Sequence, residues 1–351
     1  MKRTFIIIAL AGWLIFPAFG QHPPHDKNWQ VVSQDNFNGP QLSSLWYRSE
    51  GTKNAGKDNE APYFMIKNNV YIEDNTLVLR MKKEPSPIVC IPKNGNPCKY
   101  PGGIHPYTSG SITSNNKYKY GYYEMYAKWD AGMGLFPAFW FWGCVDSLNL
   151  YNEIDIMEST GCEPNIITTN DWIRPCDTVI DNTTGTFHHY CNHANTFHWF
   201  GVEWDKDKIT WYIDRKAVAQ ARNNLLGIGI HNPMNLTINF QLIHWVWGGC
   251  ALDPTIDSAF YYIDQVNAYQ LIYDCNNKNI SISDSTALAN HDNKVKTSIT
   301  LSGANTITPG KNVSLRASNY IELKNDFYVP PDAELYLDIN PCENSVRVRR
   351  E

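Results

Sequence analysis

The stretch Glu153-Ile154-Asp155-Ile156-Met157-Glu158 places three carboxylates within six residues, separated by apolar side chains. Residues two apart in a β-strand leave the same face of a sheet, so Glu153 and Asp155 are expected to share one face. Glu158 breaks this period, because position 157 should share that face and is a methionine. The stretch therefore predicts a β-strand with one extra residue, a β-bulge. Bulges re-aim side chains and are common beside active sites.

The chain on both sides of this strand has the pattern of many short β-strands. Apolar and polar residues alternate in brief runs split by Gly, Pro, Asn and Asp, and capped helix-period stretches are nearly absent. Examples of such runs are Val70–Arg80, Gly121–Lys128, Ile209–Ile213 and Met234–Phe240. This pattern predicts an all-β fold, as a sandwich, a jelly roll or a barrel. Asp205–Lys208 separates two runs and predicts a hairpin.

Residues 1–20 have the features of a secretory signal peptide. A basic start precedes an apolar run from Phe5 to Phe19, and the small residues Ala18 and Gly20 mark its end. The run is short for a membrane span and is broken by Gly12 and Pro17, which favours cleavage over anchoring. We expect export, with the mature protein secreted, periplasmic or at the cell surface, and no membrane span.

The composition limits the classes of partner. The net charge is −5, with Lys and Arg scattered along the chain, which gives no basic footprint for nucleic acid. Aromatic residues make up 13% of the chain, including 12 Trp, which suits stacking on sugar rings, although β-sandwich cores also use many aromatics. We expect a polysaccharide as partner and a monomeric protein.

The nine cysteines indicate disulfides in an exported protein, and the odd count leaves at least one free or paired between chains. Cys90–Cys98 would close a short loop, Cys176–Cys191 a longer one, and Cys275–Cys342 would bracket the tail. No Cys-x-x-Cys pair occurs, which disfavours a structural zinc site.

A composition shift after Tyr273 divides the chain. We predict a large β domain over residues 26–273, a polar linker over 274–296 and a small β-rich module over 297–351. The short alternating runs of this module are typical of a few turns of β-solenoid. It contains no Trp, so a spacer or surface-retention role fits it at least as well as sugar binding.

Three acids at a set spacing also arise by chance on solvated strands. Two features oppose that interpretation here. The intervening Ile154, Ile156 and Met157 indicate a strand buried on its other face, and the dense aromatic run Phe136–Gly143 comes just before it. Closely packed carboxylates of this kind are typical of glycosidic bond cleavage.

The acidic stretch resembles the signature of glycoside hydrolase family 16, in the bulged form of laminarinases, agarases and carrageenases. Further segments resemble the family in the same order: Asn59-Glu60, Ser109–Ser114, Tyr120–Glu124, Gly134–Trp140, Phe197–Trp204, Ile209–Asp214, Pro233-Met234 and Phe260–Tyr269. The resemblance implies a β-jelly-roll sandwich over residues 26–273, with a concave sugar cleft and net retention.

The resemblance also assigns roles to the three acids. It makes Glu153 the nucleophile and Glu158 the general acid/base, while Asp155 orients Glu153 and tunes the pair. A retaining enzyme needs two carboxyls about 5–5.5 Å apart, one ionised and one protonated. Crowding of the acids raises one pKa, so that Glu158 can hold a proton near neutral pH while Glu153 stays charged.

Substrate-binding candidates come from the aromatic runs and from the family's early Asn-Glu segment. Trp140 and Trp142 share one face of a strand and Phe139 and Phe141 share the other. One set lines the cleft and the other packs the core, and the sequence leaves open which. The full set of candidates is Asn59, Glu60, Trp140, Trp142, Trp172, Trp245 and Trp247.

The chain departs from the family pattern at three places. Tyr126 stands where the family usually has Arg, and Phe136 where many members have Trp. The His often found on the strand after the acids has no match, and we expect the nearby His188 and His189 on a surface loop. These departures leave subsite shape and substrate identity open.

The expected function is exported, retaining endo-hydrolysis of a β-linked polysaccharide. Met157 and the Phe136–Trp140 run resemble the β-1,3-glucanase group most, and the acidic net charge favours a neutral glucan. Open alternatives are an agarase, porphyranase or carrageenase, transglycosylation through the same intermediate, and a non-catalytic carbohydrate-binding jelly roll. No organic cofactor is implied. Some relatives hold a structural Ca²⁺, but the sequence names no metal ligands.

Overall fold

We analysed a computed structural model of the chain. It describes residues 29–50, 63–89, 104–145, 150–161, 163, 165–175, 187–190, 195–223, 229–242, 253–271, 280–282, 294–301, 309, 312–323 and 327–339. The predicted signal peptide and the three predicted disulfides lie outside these residues.

Apart from one 3₁₀ turn at Lys67–Asn69, the regular elements of the described residues are all β-strands. They are β1 (Trp29–Asp35), β2 (Trp46–Arg48), β3 (Tyr63–Met65), β4 (Val70–Glu73), β5 (Thr76–Val89), β6 (Ile104–Ser109), β7 (Ser111–Tyr118), β8 (Gly121–Trp129), β9 (Leu135–Val145), β10 (Leu150–Ser159), β11 (Ile166–Pro175), β12 (Phe187–Tyr190), β13 (His198–Trp204), β14 (Lys208–Ile213), β15 (Lys216–Arg222), β16 (Met234–Leu242), β17 (Ser258–Leu271), β18 (Ile280–Ile282), β19 (Lys294–Leu301), β20 (Asn312–Leu323) and β21 (Glu334–Ile339).

Two sheets form a sandwich, as the alternating sequence predicts. A ten-stranded sheet has the order β15-β14-β13-β8-β17-β5-β6-β3, with β1 added to β17 and β4 added to β5. A seven-stranded sheet has the order β12-β11-β10-β9-β16-β7-β2. Neighbours pair antiparallel except β3 and β6. The acidic strand β10 therefore lies inside the seven-stranded sheet, with two strands on one side and four on the other.

The core lies between the two sheets and is rich in large side chains. Phe139, Phe141, Trp204 and Trp211 are all fully buried there. Burying a side chain of this size contributes about 1.5–3 kcal/mol relative to leaving it exposed. The core thus fixes the inner face of each strand, and the opposite face follows from the period of two.

The predicted hairpin is confirmed between β13 and β14. The Asp205 carboxylate accepts hydrogen bonds from the backbone N–H groups of Asp207 and Lys208, both at 2.8 Å. The Asp205 N–H in turn donates to the Lys208 carbonyl at 3.0 Å. An Asp side chain that bonds the backbone two residues on is a common way to close such a turn.

A third sheet of four strands, β18-β19-β20-β21, follows the sandwich along the chain. All its neighbours pair in parallel, which is the arrangement that solenoid turns require. Strand β18 and the first residues of β19 lie within residues 274–296, so strands interrupt the segment predicted as a polar linker. The alternation Ile280-Ser281-Ile282 is the local signal for β18.

Candidate active site

Strand β10 contains the predicted bulge. In its register with β11, Asp155 pairs with Asn170 and Glu158 pairs with Thr168, so two residues of β10 oppose the single residue Thr169. The register with β9 shifts at the same place. One extra residue in β10 thus offsets the period of two between the second and third acid.

Burial shows how the bulge sorts the side chains. Ile154, Ile156 and Met157 are all buried in the core between the sheets. Two consecutive residues, Ile156 and Met157, therefore face inward, and Glu158 returns to the outer face. We call the outer face of the seven-stranded sheet, which carries Glu153, Asp155 and Glu158, the acid face.

Tryptophans flank the acids on the neighbouring strands. Glu153 pairs with Trp142 of β9 and Trp172 of β11, and Asp155 pairs with Trp140 of β9. Directly paired residues of an antiparallel sheet point to the same face. These three of the five predicted tryptophans therefore lie on the acid face.

The question left open between the two aromatic sets of β9 is answered by the core. Phe139 and Phe141 pack between the sheets, whereas Trp140 belongs to a separate cluster with Trp142 at its edge. Strand β16 fixes both indoles: the N–H of Trp140 donates to Asn239 Oδ1 at 2.6 Å, and that of Trp142 to Thr237 Oγ1 at 3.0 Å. Trp140 is only 6% exposed, whereas Trp142 is half-buried and offers ring surface.

Hydrogen bonds hold the first two acids. The Tyr151 hydroxyl, two residues earlier on β10, donates to Glu153 Oε2. Trp172 Nε1 donates to Asp155 Oδ2 at 3.1 Å, and Asp155 is itself hydrogen-bonded to Glu153. Among the described residues, the Glu158 Oε2 atom is buried and has no hydrogen-bond partner.

The three acids differ in electrostatic environment. Burial, and then the charge of Glu153, raises the pKa of Glu158 to about 8. Burial, followed by the charges of Glu158 and Glu153 and a hydrogen bond to Glu153, raises the pKa of Asp155 well above its usual range, and the Trp172 hydrogen bond opposes this shift. A pKa of about 8 leaves Glu158 mostly protonated near neutral pH.

Residues 58–250, more than half of the chain, match the sequence profile of glycosyl hydrolases family 16. The chain belongs to this family. The bulged acidic strand and its tryptophans lie within the matched residues. Together with the two antiparallel sheets, family membership confirms the predicted β-jelly-roll sandwich.

Named relatives in family 16 act on more than one polysaccharide. The chain is 31% identical over 177 residues to endo-1,3-1,4-beta-glycanase EglC of Rhizobium meliloti, covering 48% of this chain and 34% of the relative. It is 36% identical over 152 residues to the kappa-carrageenase of Pseudoalteromonas carrageenovora, covering 38% and 37%. It thus spans about a third of the length of these curated relatives.

A solved structure of similar fold is the endo-beta-1,3-glucanase of Pyrococcus furiosus. The two share 26% identity at a TM-score of 0.57, and the match covers 70% of this chain and 96% of that one.

His188 and His189 lie on a strand, so their expected place on a surface loop is wrong. They belong to β12, where His188 pairs with Thr168, and Thr168 pairs with Glu158 one strand further in. Thr168 Oγ1 and His188 Nδ1 are 3.2 Å apart. His188 is exposed, whereas burial and the adjacent His188 lower the pKa of His189. The flanking Phe187 and Tyr190, both strand formers, were the signal for this edge strand.

The departures from the family pattern at positions 126 and 136 lie on opposite sides of the molecule. Tyr126 pairs with Trp199 in the ten-stranded sheet and stacks on its ring, with centroids 4.9 Å apart. Tyr126 therefore lies away from the acid face, because its side chain is on the outer face of the other sheet. Phe136 clusters with Trp140 on the acid face, where it can affect the substrate site.

Asn59, Glu60, Trp245 and Trp247 lie outside the described residues, so their assignment as substrate contacts stays a prediction. Within the described parts of the chain, no group of three His, Cys, Asp or Glu side chains is placed to hold a metal ion. In the same parts, no helix has the length and apolar character that a membrane crossing requires.

Proposed function

We propose that this chain is a retaining, endo-acting glycoside hydrolase that cleaves a β-linked polysaccharide, with a β-1,3-glucan as substrate. The observation that carries the proposal is the placement of Glu158, with its raised pKa, on one face of the sheet with Glu153. A retaining glycosidase needs such a pair, with one carboxyl protonated and the other ionised.

The reaction runs in two steps through this pair. Glu153 attacks the anomeric carbon while Glu158 gives its proton to the glycosidic oxygen, which releases the leaving sugar and forms a glycosyl-enzyme. Glu158, now ionised, takes a proton from water, which attacks the anomeric carbon and frees Glu153. Asp155, held by Trp172, donates a hydrogen bond to Glu153 and orients it throughout.

The surroundings of the acids support a neutral substrate. The residues paired with them on β9 and β11 are uncharged: Trp142, Trp172, Trp140, Asn170, Ala138 and Thr168. Partly exposed indoles suit the apolar faces of sugar rings. Similarity to a 1,3-1,4-beta-glycanase and to a solved endo-beta-1,3-glucanase also supports a β-glucan.

The acid face also offers unused hydrogen-bonding groups. Asn239 Nδ2 and Ser111 Oγ are buried without a hydrogen-bond partner among the described residues, and the two residues are paired in register. Buried polar groups are costly unless they are bonded. Neither atom is exposed to solvent, so a sugar hydroxyl would bond them only after the side chains that cover them move.

A red-algal galactan is the second candidate substrate, and similarity to a kappa-carrageenase favours it. The discriminating experiment incubates the purified protein with laminarin, mixed-linkage glucan, agarose, porphyran and carrageenan and measures new reducing ends. We expect release from laminarin by the wild type and none by Glu153→Gln, with both proteins equally folded. Release from a galactan alone would overturn the glucan assignment, and binding without release from any polymer would overturn hydrolysis.

The remaining parts of the proposal concern the whole chain. We propose that residues 1–20 direct export, that the mature protein is a monomer, and that the C-terminal residues form a module apart from the catalytic domain. This module begins by β18 (Ile280–Ile282) and not at the predicted residue 297, because β18 belongs to its sheet. Two observations support this division: the composition of the chain becomes polar after Tyr273, and the strands that follow form a separate parallel sheet.

A further inference from the structure

The bulge in β10 leaves a backbone carbonyl inside the sandwich, and one side chain of the opposite sheet binds it. The indole N–H of Trp211 donates to the carbonyl oxygen of Asp155 at 2.9 Å. Trp211 belongs to β14 in the ten-stranded sheet and is fully buried. This hydrogen bond therefore crosses the core and ends at the residue where the register of β10 shifts.

The position of this bond matters because two arrangements of the strand compete. Without a bulge, the period of two would turn Met157 to the acid face and Glu158 into the core. With the bulge, Ile156 and Met157 both face inward and Glu158 reaches the acid face. Because buried carbonyls need partners, the indole N–H that binds the Asp155 carbonyl stabilises the bulged form.

Trp211 also contacts the seven-stranded sheet through a second side chain. The ring of Phe187, on edge strand β12, packs against it with centroids 5.7 Å apart. Because β12 pairs with β11, and β11 pairs with β10, the indole contacts both the bulge and the sheet edge beside it. These contacts hold the donor toward Asp155.

We propose that Trp211 is a positioning residue: its indole N–H fixes the bulge and thereby sets Glu158 against Glu153 on the acid face. The inference rests on the proposed hydrolase function. Trp211 touches no reacting atom and acts through the backbone of Asp155.

The chain contains a matched control for this inference. Trp204, on the adjacent strand β13, is likewise fully buried, and its indole N–H donates to the carbonyl of Ile230 at 2.9 Å. Trp204→Phe and Trp211→Phe therefore make the same chemical change at the same depth in the same sheet, although the Ile230 carbonyl keeps a hydrogen bond from Asn223 Nδ2 at 3.0 Å. Only Trp211→Phe frees a carbonyl at the bulge.

The experiment measures kcat, KM and the pH profile of both variants on laminarin, well below their unfolding temperatures and normalised to folded protein. For Trp211→Phe we expect kcat to fall ~10–100-fold, as a misplaced catalytic group does, with KM nearly unchanged and the alkaline limb displaced. Trp204→Phe should retain the wild-type kcat and pH profile. Trp211→Met, whose side chain has no donor, should repeat the effect if Trp211→Phe does not fold.

Equal kcat in Trp211→Phe and Trp204→Phe would overturn the inference, and so would a loss of kcat with an unmoved pH profile. If the wild type hydrolyses none of the polysaccharides, the proposed hydrolase function is wrong. This outcome differs from a wild type that is active while both variants behave alike, which would overturn only the role of Trp211.

Discussion

At the scale of single residues, three similar acids have different environments, and this difference supports the separate roles proposed for them. Tyr151 and Asp155 hydrogen-bond Glu153, whereas a Glu158 oxygen is buried without a partner among the described residues. The sequence predicts these roles through the spacing of the acids and the family resemblance. It does not predict Tyr151 or the indole of Trp172 as partners, because both contacts depend on the exact register of β10.

The raised pKa of Glu158 predicts an alkaline limit to activity. The general acid must be protonated in the free enzyme, so kcat/KM should fall as pH rises through about 8. A pH profile of laminarin hydrolysis measures this limit. Loss of activity centred near the ordinary pKa of a glutamic acid would contradict the assignment.

Glu158→Gln gives a readout of the same pKa that does not need activity. The folded pKa of about 8 lies above the ordinary 4.5, so the folded state binds more protons between these values. Wild-type stability should therefore fall as pH rises through this window, and the slope should be smaller in Glu158→Gln. Thermal unfolding of both proteins across the window tests this sign.

Asp155 predicts a contrast between two substitutions. Its raised pKa favours the protonated form, which can donate a hydrogen bond to Glu153. Asn keeps a neutral donor and Ala removes it, so Asp155→Ala should lower kcat by about 10²–10³-fold and Asp155→Asn by much less. Steady-state kinetics of both variants decide the matter; equal losses would show that Asp155 acts by its negative charge instead.

At the scale of strands, local pattern predicted the bulge but not its neighbours. The alternation around Asp155 shows one residue out of phase, which is a local property of the sequence. The partners of β9 are β10, next along the chain, and β16, distant in sequence. Packing between the sheets therefore decides which side chains of β9 point to the acid face. The edge strand at His188 was not predicted, because four residues are too short a pattern to indicate that they pair with β11.

The tryptophan that flanks Glu153 on β9 predicts a binding defect. Trp142 is half-buried on the acid face and bonds Thr237 through its indole N–H. An aromatic pair contributes about 0.5–1.5 kcal/mol beyond buried area, so Trp142→Ala should raise KM for laminarin about two- to tenfold. Trp142→Phe keeps a ring and should raise KM less. The prediction fails if both variants keep the wild-type KM.

At the scale of the whole molecule, the sequence predicts the class of fold better than its substrate. An all-β sandwich follows from alternation over many short runs, which needs no knowledge of which strands pair. The acid face is built from side chains of β9, β11, β12 and β16, which are distant in sequence. Tyr126 lies on the outer face of the other sheet, so the meaning of a departure from a family pattern depends on its place in the fold.

The division into a catalytic domain and a C-terminal module makes the last prediction. Strand β1 pairs with β17, so every strand of the two sandwich sheets that the structure describes lies between residues 29 and 271. The buried core that fixes β10, including Trp211, lies within the same residues. A chain ending at residue 273 should therefore fold and keep the wild-type kcat and KM on soluble laminarin, measured beside the full chain. Binding to insoluble glucan by the two proteins then reports what the module adds. A truncated chain that is soluble but has lost its kcat would mean that the four-stranded sheet supports the acid face directly.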